Sequence, residues 1–145
     1  MLTTMKKYLV ALLMVTATGV SAETATAVPP ETLKASSEAS DAWVAVIDQD
    51  KFDEAWDKGS TTLKLKVPQK SWTAILNATR KPLGKVSSRK LVDQRVAQNP
   101  PGLPAGDYMV FIYKTDFSGK KELNEIVTLI QESDGKWRGL TYQVQ

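Results

Sequence analysis

An α+β domain, with N-terminal helices packed on one face of a four-stranded antiparallel sheet, is the fold the sequence predicts. Two observations carry it. Apolar residues recur at helical spacing from Glu31 to Leu83, and after Gly84 the period changes to two, through four segments separated by turn residues. Helices first and strands afterwards is the order of an α+β layout, not of units alternating around a parallel sheet.

The first helix is expected from Glu31 to about Lys51, where Ala35, Ala39, Ala42, Trp43, Val46 and Ile47 fall three and four apart. Asp50 stands three residues before Asp53, so carboxylates are expected to cap a second helix. Phe52, Ala55 and Trp56 form its stripe, and Gly59 offers a left-handed stop. TTLKLKV, residues 61 to 67, alternates like a strand but is short enough to be a helical or extended connector. Pro68 suits the first position of a third helix, with Trp72, Ile75, Leu76, Thr79 and Leu83 on its face and Gly84 ending it. The first strand is expected from Val86 to Gln98, with Val86, Val92 and Val96 on one face. After the loop NPPGLPAG comes DYMVFIYKTDF, residues 107 to 117, which is apolar on both faces and therefore central. SGKK turns the chain into Glu122 to Glu132. Asp134-Gly135 is a preferred hairpin dipeptide, and Lys136 to Val144 closes the domain.

The opening segment has the three regions of a secretory signal peptide: Lys6 and Lys7, an apolar run from Tyr8 to Val20, and the small residues Val20-Ser21-Ala22. The run is shorter than the roughly 20 residues that span a bilayer. The expectation is cleavage after Ala22, a tether over residues 23–30 and one domain over 31–145, exported to the periplasm or secreted, with no membrane anchor. Cleavage removes Lys6 and Lys7 from a chain whose formal net charge is +3. The near-neutral remainder lacks the basic footprint of a nucleic-acid binder. The chain has 0 Cys and 0 His. That excludes disulfides, Ser-His-Asp and Cys-His triads, thiol redox chemistry, zinc sites built on His or Cys, and haem held by His.

The runs AWVAVIDQDKFDEAW, PQKSWTAILNATRKPLGKVSSRKL, GDYMVFIYKTDF and NEIVTLIQESDGKWRGLTY together resemble the bacterial domain of unknown function 4019 family. The shared pattern is a Trp-containing first helix, a Phe-x-x-x-Trp second helix (Phe52, Trp56), a third helix ending in Arg-x-Pro-Leu-Gly, and a final Gly-x-Trp-Arg-x-x-x-Tyr strand. The resemblance implies an exported bacterial protein without assigned activity. The order of segments is also similar to the nuclear-transport-factor-2-like, or cystatin-like, cone, in which a curved sheet wraps a long helix; a fold alone assigns no function.

Four stretches invite chemistry. RKPLGKVSSRK, residues 80 to 90, has five cations but only one Gly, so it is no phosphate loop. Arg80 and Lys81 suit a helix C-terminus, and the cations of the following strand divide between its faces, so the stretch reads as a helix-to-strand joint. DQDKFDE, residues 48 to 54, fails as a calcium loop, because the sixth and twelfth positions are Asp53 and Gly59; it reads as a helix junction. Glu125 shares a strand face with Leu123, Val127 and Leu129. A carboxylate there must be paired, with Arg89 or Lys90 as its neighbour, or have a raised pKa. The Trp residues sit on apolar stripes, where core positions and an aromatic pocket draw on the same side chains.

The candidate ligand-binding set is Trp56, Trp72, Arg89, Tyr113, Glu125 and Tyr142, with no catalytic residue, cofactor or metal ligand assigned. The expected function is a non-catalytic binding module for a small apolar ligand or an envelope protein. The alternatives are an isomerase or dehydratase using a carboxylate base with Tyr113 or Tyr142 as proton donor, and a homodimer formed through the convex sheet face.

Overall fold

Helix α1 runs from Pro30 to Asp48. Pro30 occupies its first position, where the missing N–H has no partner to lose. The computed structural model describes residues 27–145; the expected signal peptide, and the tether up to residue 26, lie outside them. Helix α1 is followed by α2 (Phe52–Asp57), α3 (Thr61–Lys66), α4 (Gln69–Thr79) and a 3-10 turn (Lys81–Leu83). Four strands complete the chain: β1 (Val86–Gln98), β2 (Asp107–Phe117), β3 (Leu123–Gln131) and β4 (Trp137–Val144). They form one open antiparallel sheet in the order β1-β2-β3-β4. The α+β class and the helices-then-strands order are as the sequence predicts, and the arrangement is compatible with a cone.

Residues 61–66 of segment 61–67 form a helix, which Val67 ends in an extended conformation, and the leucines show why. In a strand, Leu63 and Leu65 would share a face; in a helix they point apart. Leu63 is 2% exposed and Leu65 82%. Ser60, fully buried, starts α3 by accepting the Leu63 N–H at 3.1 Å.

Three local expectations are corrected. Asp50 does not cap α2; it takes a left-handed backbone, φ 59°, in the reversal between α1 and α2, a conformation Asp tolerates better than most residues. Asp53 accepts a hydrogen bond from Thr73 on α4 instead. Gly59 is not in the left-handed region; its place needs a small residue because a Cβ would lie 2.6 Å from the Leu63 side chain. In β1 the expected alternation fails. Register shifts between Val86 and Ser88 and between Leu91 and Asp93 each insert an extra residue; Val92, the unpaired residue of the second, is exposed, and Val96, paired with the buried Met109, is exposed because β1 is the edge strand.

The core lies between α1 and the sheet. Trp43, Val44 and Ile47 of α1 join Phe111, Val127, Leu129 and Tyr142 of the strands in one buried cluster. Each fully buried Leu or Phe contributes roughly 1.5–3 kcal/mol. Helix α1 crosses β4 and β3, and it comes close because residue 139 is glycine: a Cβ there would meet the Trp43 indole at 2.2 Å. On its other side the Trp43 ring stacks on Trp72, centroids 5.6 Å apart. Ser60 N–H donates to the Gly139 carbonyl at 2.8 Å, tying the helical layer to β4.

Candidate functional site

Register brings the charged side chains together. Arg89 on β1 is the pairing partner of Thr115 on β2, and Tyr113 on β2 is the partner of Glu125 on β3. Asp48 at the end of α1 and Arg80 at the end of α4 reach the same place. The question left by the sequence, whether Arg89 or Lys90 faces Glu125, resolves to Arg89.

Glu125 has no solvent exposure. Its Oε1 accepts from Arg89 Nε at 2.7 Å and Thr115 Oγ1 at 2.6 Å. Its Oε2 accepts from Arg89 Nη2 at 3.1 Å and from the Tyr142 hydroxyl at 2.5 Å. A carboxylate offers about four acceptor positions, so all are occupied. Arg89 then turns its remaining donors to Asp48, with two bonds of 2.8 Å. Arg80 adds a bond from Nη2 to Asp48 at 3.1 Å and one from Nη1 to the Gly84 carbonyl at 2.7 Å. Its guanidinium lies 4.6 Å from the centre of the Phe117 ring. Two guanidinium groups thus balance two carboxylates. Arg80, at the helix end where the sequence places it, is only 1% exposed. The joint at RKPLGKVSSRK is therefore built around a buried ion pair, with Gly84 at φ 78° making the turn.

The electrostatics follow from these partners. Burial by itself would raise the Asp48 carboxyl; hydrogen bonds and charge from Arg89, then Arg80, outweigh it and hold the carboxyl below its ordinary 3.8. Burial opposes the Arg89 charge, but Asp48 and Glu125 more than restore it and push its pKa up. The Tyr142 phenol is raised far above its ordinary value by burial and then by the Glu125 charge, so it stays a donor. A folded-state carboxyl pKa below the unfolded one adds stability that is complete above the unfolded value and lost as pH falls through the folded one. Urea midpoints are therefore expected to fall as pH drops below about 3.8. Asp48→Asn should flatten part of that slope. An Asp48→Asn variant with the wild-type slope would exclude Asp48 as its source.

Beside this network lies a hollow of about 200 Å³, lined by Asp41, Val44, Ala45, Asp48, Arg89 and Tyr113. The Tyr113 hydroxyl is 3.0 Å from Ser40 Oγ and 3.5 Å from Asp41 Oδ1. Burial raises its pKa above the ordinary phenol value. Asp41 is exposed and has no cationic partner among the described residues. A second, shallower depression surrounds Arg138, whose guanidinium binds Glu132 at 2.9 Å and Asp134 at 2.8 Å.

Of the six candidates read from the sequence, Arg89, Tyr113, Glu125 and Tyr142 converge. Trp56 and Trp72 sit apart, in the helical layer. The Trp72 N–H donates to the Phe52 carbonyl at 2.9 Å, and the Trp56 N–H to the Val67 carbonyl at 2.8 Å. Trp43 likewise donates to the Ala55 carbonyl at 2.8 Å. These indoles pin connectors together. Sequence reasoning missed Asp48, Arg80, Asp41, Ser40 and Thr115 as members of the site. Asp48 did carry a signal: it continues the buried stripe Val44, Ile47 by one and four residues, a position where a carboxylate calls for a partner.

Among the described residues there is no group of three or more His, Cys, Asp or Glu placed to hold a metal ion, and no helix long and apolar enough to cross a membrane. No curated protein matches the chain. Residues 39–142, from within α1 to β4, match the model of the family described as Protein of unknown function (DUF4019), and the chain belongs to that family.

Proposed function

We propose that the protein is an exported, non-catalytic binding module whose ligand enters the hollow between α1 and the β1–β2 edge. The observation that carries this reading is the division of labour among the hollow's charged groups. Arg89 and Asp48 are spent on each other, on Glu125 and on Arg80, while Asp41, exposed at its wall and met there only by the Tyr113 hydroxyl at 3.5 Å, has no cation among the described residues. Val44 and Ala45 supply an apolar strip. The ligand class that fits is a small, mainly apolar molecule ending in an amine, its chain on Val44 and Ala45 and its ammonium toward Asp41. Glu125 and Tyr142 support the hollow from behind instead of reacting: a base needs a free lone pair within reach of substrate, and Glu125 has none.

Heteronuclear NMR titration with n-butylammonium tests the reading. Saturable shifts are expected at Val44, Ala45 and Tyr113, with affinity falling about tenfold in Asp41→Asn, the loss of one charge-assisted hydrogen bond. Absence of saturable shifts at these residues, or shifts unchanged in Asp41→Asn, would overturn it.

A further inference from the structure

A second feature is independent of the hollow. Six lysines, Lys81, Lys85, Lys90, Lys114, Lys120 and Lys121, gather at one end of the molecule, and all are exposed. The backbone brings them together: the 3-10 turn and the start of β1 close against the β2–β3 hairpin, with Gly119 N–H donating to the Leu83 carbonyl and Ser118 N–H to the Lys85 carbonyl, each at 2.8 Å. Lys90 and Lys114 are direct pairing partners across β1 and β2.

None of the six takes part in an ion pair among the described residues. Among the described residues the one side-chain hydrogen bond they make is from Lys114 Nζ to the Glu122 carbonyl, at 3.5 Å. The carboxylates in these segments are Asp116 and Glu122, and Asp116 accepts the Glu122 N–H at 2.8 Å. Other lysines without an ion pair among the described residues, Lys51, Lys64, Lys66, Lys70 and Lys136, lie elsewhere, but this is the end where six come together. Like charges facing each other across strands destabilise a sheet, so folding gives no reason for the Lys90–Lys114 pair.

The cations are all lysine, compact charges on flexible stems, suited to a diffuse anionic surface more than to bidentate capture of one planar anion. Two residues on from Lys90, Val92 is also exposed while the intervening Leu91 pairs with Tyr113 on the opposite face, placing an apolar group next to the charge as interfacial contacts require. We infer that this end of the protein docks on an anionic membrane surface, the lysines meeting the phosphates of lipid headgroups.

Vesicle co-sedimentation of the full chain tests this, with phosphatidylcholine alone against phosphatidylcholine containing 30% phosphatidylglycerol. The comparison variant is Lys90→Glu/Lys114→Glu/Lys120→Glu/Lys121→Glu, which shares the same N-terminal segment, so the ratio of the two reports the lysines. Each lysine near an anionic surface is worth roughly fivefold in partitioning. Wild type is expected to partition into the anionic vesicles at least about 100-fold better than the variant, and to be released by 0.5 M salt, which shortens the Debye length toward 3–5 Å. Equal partitioning of wild type and variant, or of wild type into both vesicle types, would overturn the inference. So would a DNA oligonucleotide that strips the protein from the vesicles and retains it at the same salt. The substituted positions are exposed, and an unchanged circular dichroism spectrum verifies that the variant is folded.

Discussion

Arg89→Met is expected to lower the free energy of unfolding at pH 7 by about 3–5 kcal/mol, because it leaves a buried carboxylate without its cation. Glu125 has no exposure through which water could replace the guanidinium, and Thr115 and Tyr142 neutralise none of its charge. Asp48 is less affected, since it keeps Arg80 at 3.1 Å and is itself about one quarter exposed. Adding Glu125→Leu to Arg89→Met removes the stranded charge, and the double variant is expected to be more stable than the Arg89 single variant. Urea denaturation of the wild type and the two variants decides this. A loss below about 1 kcal/mol in Arg89→Met would mean the pair is no stronger than an exposed surface bridge.

The second large effect is expected at Gly139. Its backbone is not in the left-handed region, so alanine meets no conformational objection there. The objection is spatial: the new Cβ would sit 2.2–2.4 Å from three atoms of the Trp43 indole. The ring cannot easily yield, because Trp72 stacks on it and its N–H is held by the Ala55 carbonyl. Overpacking of this kind costs about 1–3 kcal/mol, and the double restraint on the ring places Gly139→Ala at the upper end. Trp43→Phe, itself destabilising, should make Gly139→Ala much cheaper in its background. Strict additivity of the two substitutions in thermal or urea unfolding would exclude the clash as the cause.

The sequence made the architecture legible because each element's burial follows its period. Trp43, Val44 and Ile47 mark the buried face of α1, and the two-sided apolar run of residues 107 to 117 correctly announces an inner strand. Where a second force intervened, periodicity misled. In β1 two extra residues shift the register and Val92 becomes the unpaired residue of the second shift, while Val96, paired with the buried Met109, reaches solvent because β1 is the edge strand and α1 packs over β3 and β4. In α3, two leucines at strand spacing belong to a helix because Ser60 caps it.

The site was half legible for a similar reason. Glu125 is conspicuous because a charge interrupts an apolar strand, and the strand order brings Arg89 and Tyr113 to it. Arg80 lies at a helix end, where charged residues are ordinary, and nothing in its local sequence distinguishes a buried pair from a solvated cap; for Asp48 the one signal is its place on the α1 stripe.

The ion-pair network also bears on the order of assembly. It joins residues 41 apart between Asp48 and Arg89, 36 apart between Arg89 and Glu125, and 17 apart between Glu125 and Tyr142, the last contributed by the final strand. Closing such loops precedes any gain from the contacts they allow. These charges should therefore lock after the sheet has formed, when β4 delivers the Tyr142 hydroxyl. Late contacts act on the unfolding rate more than the folding rate, and the unfolding limb of the Arg89→Met chevron is where that would appear. Seen this way, Glu125 is a latch on the finished domain: it delays opening without hastening closure.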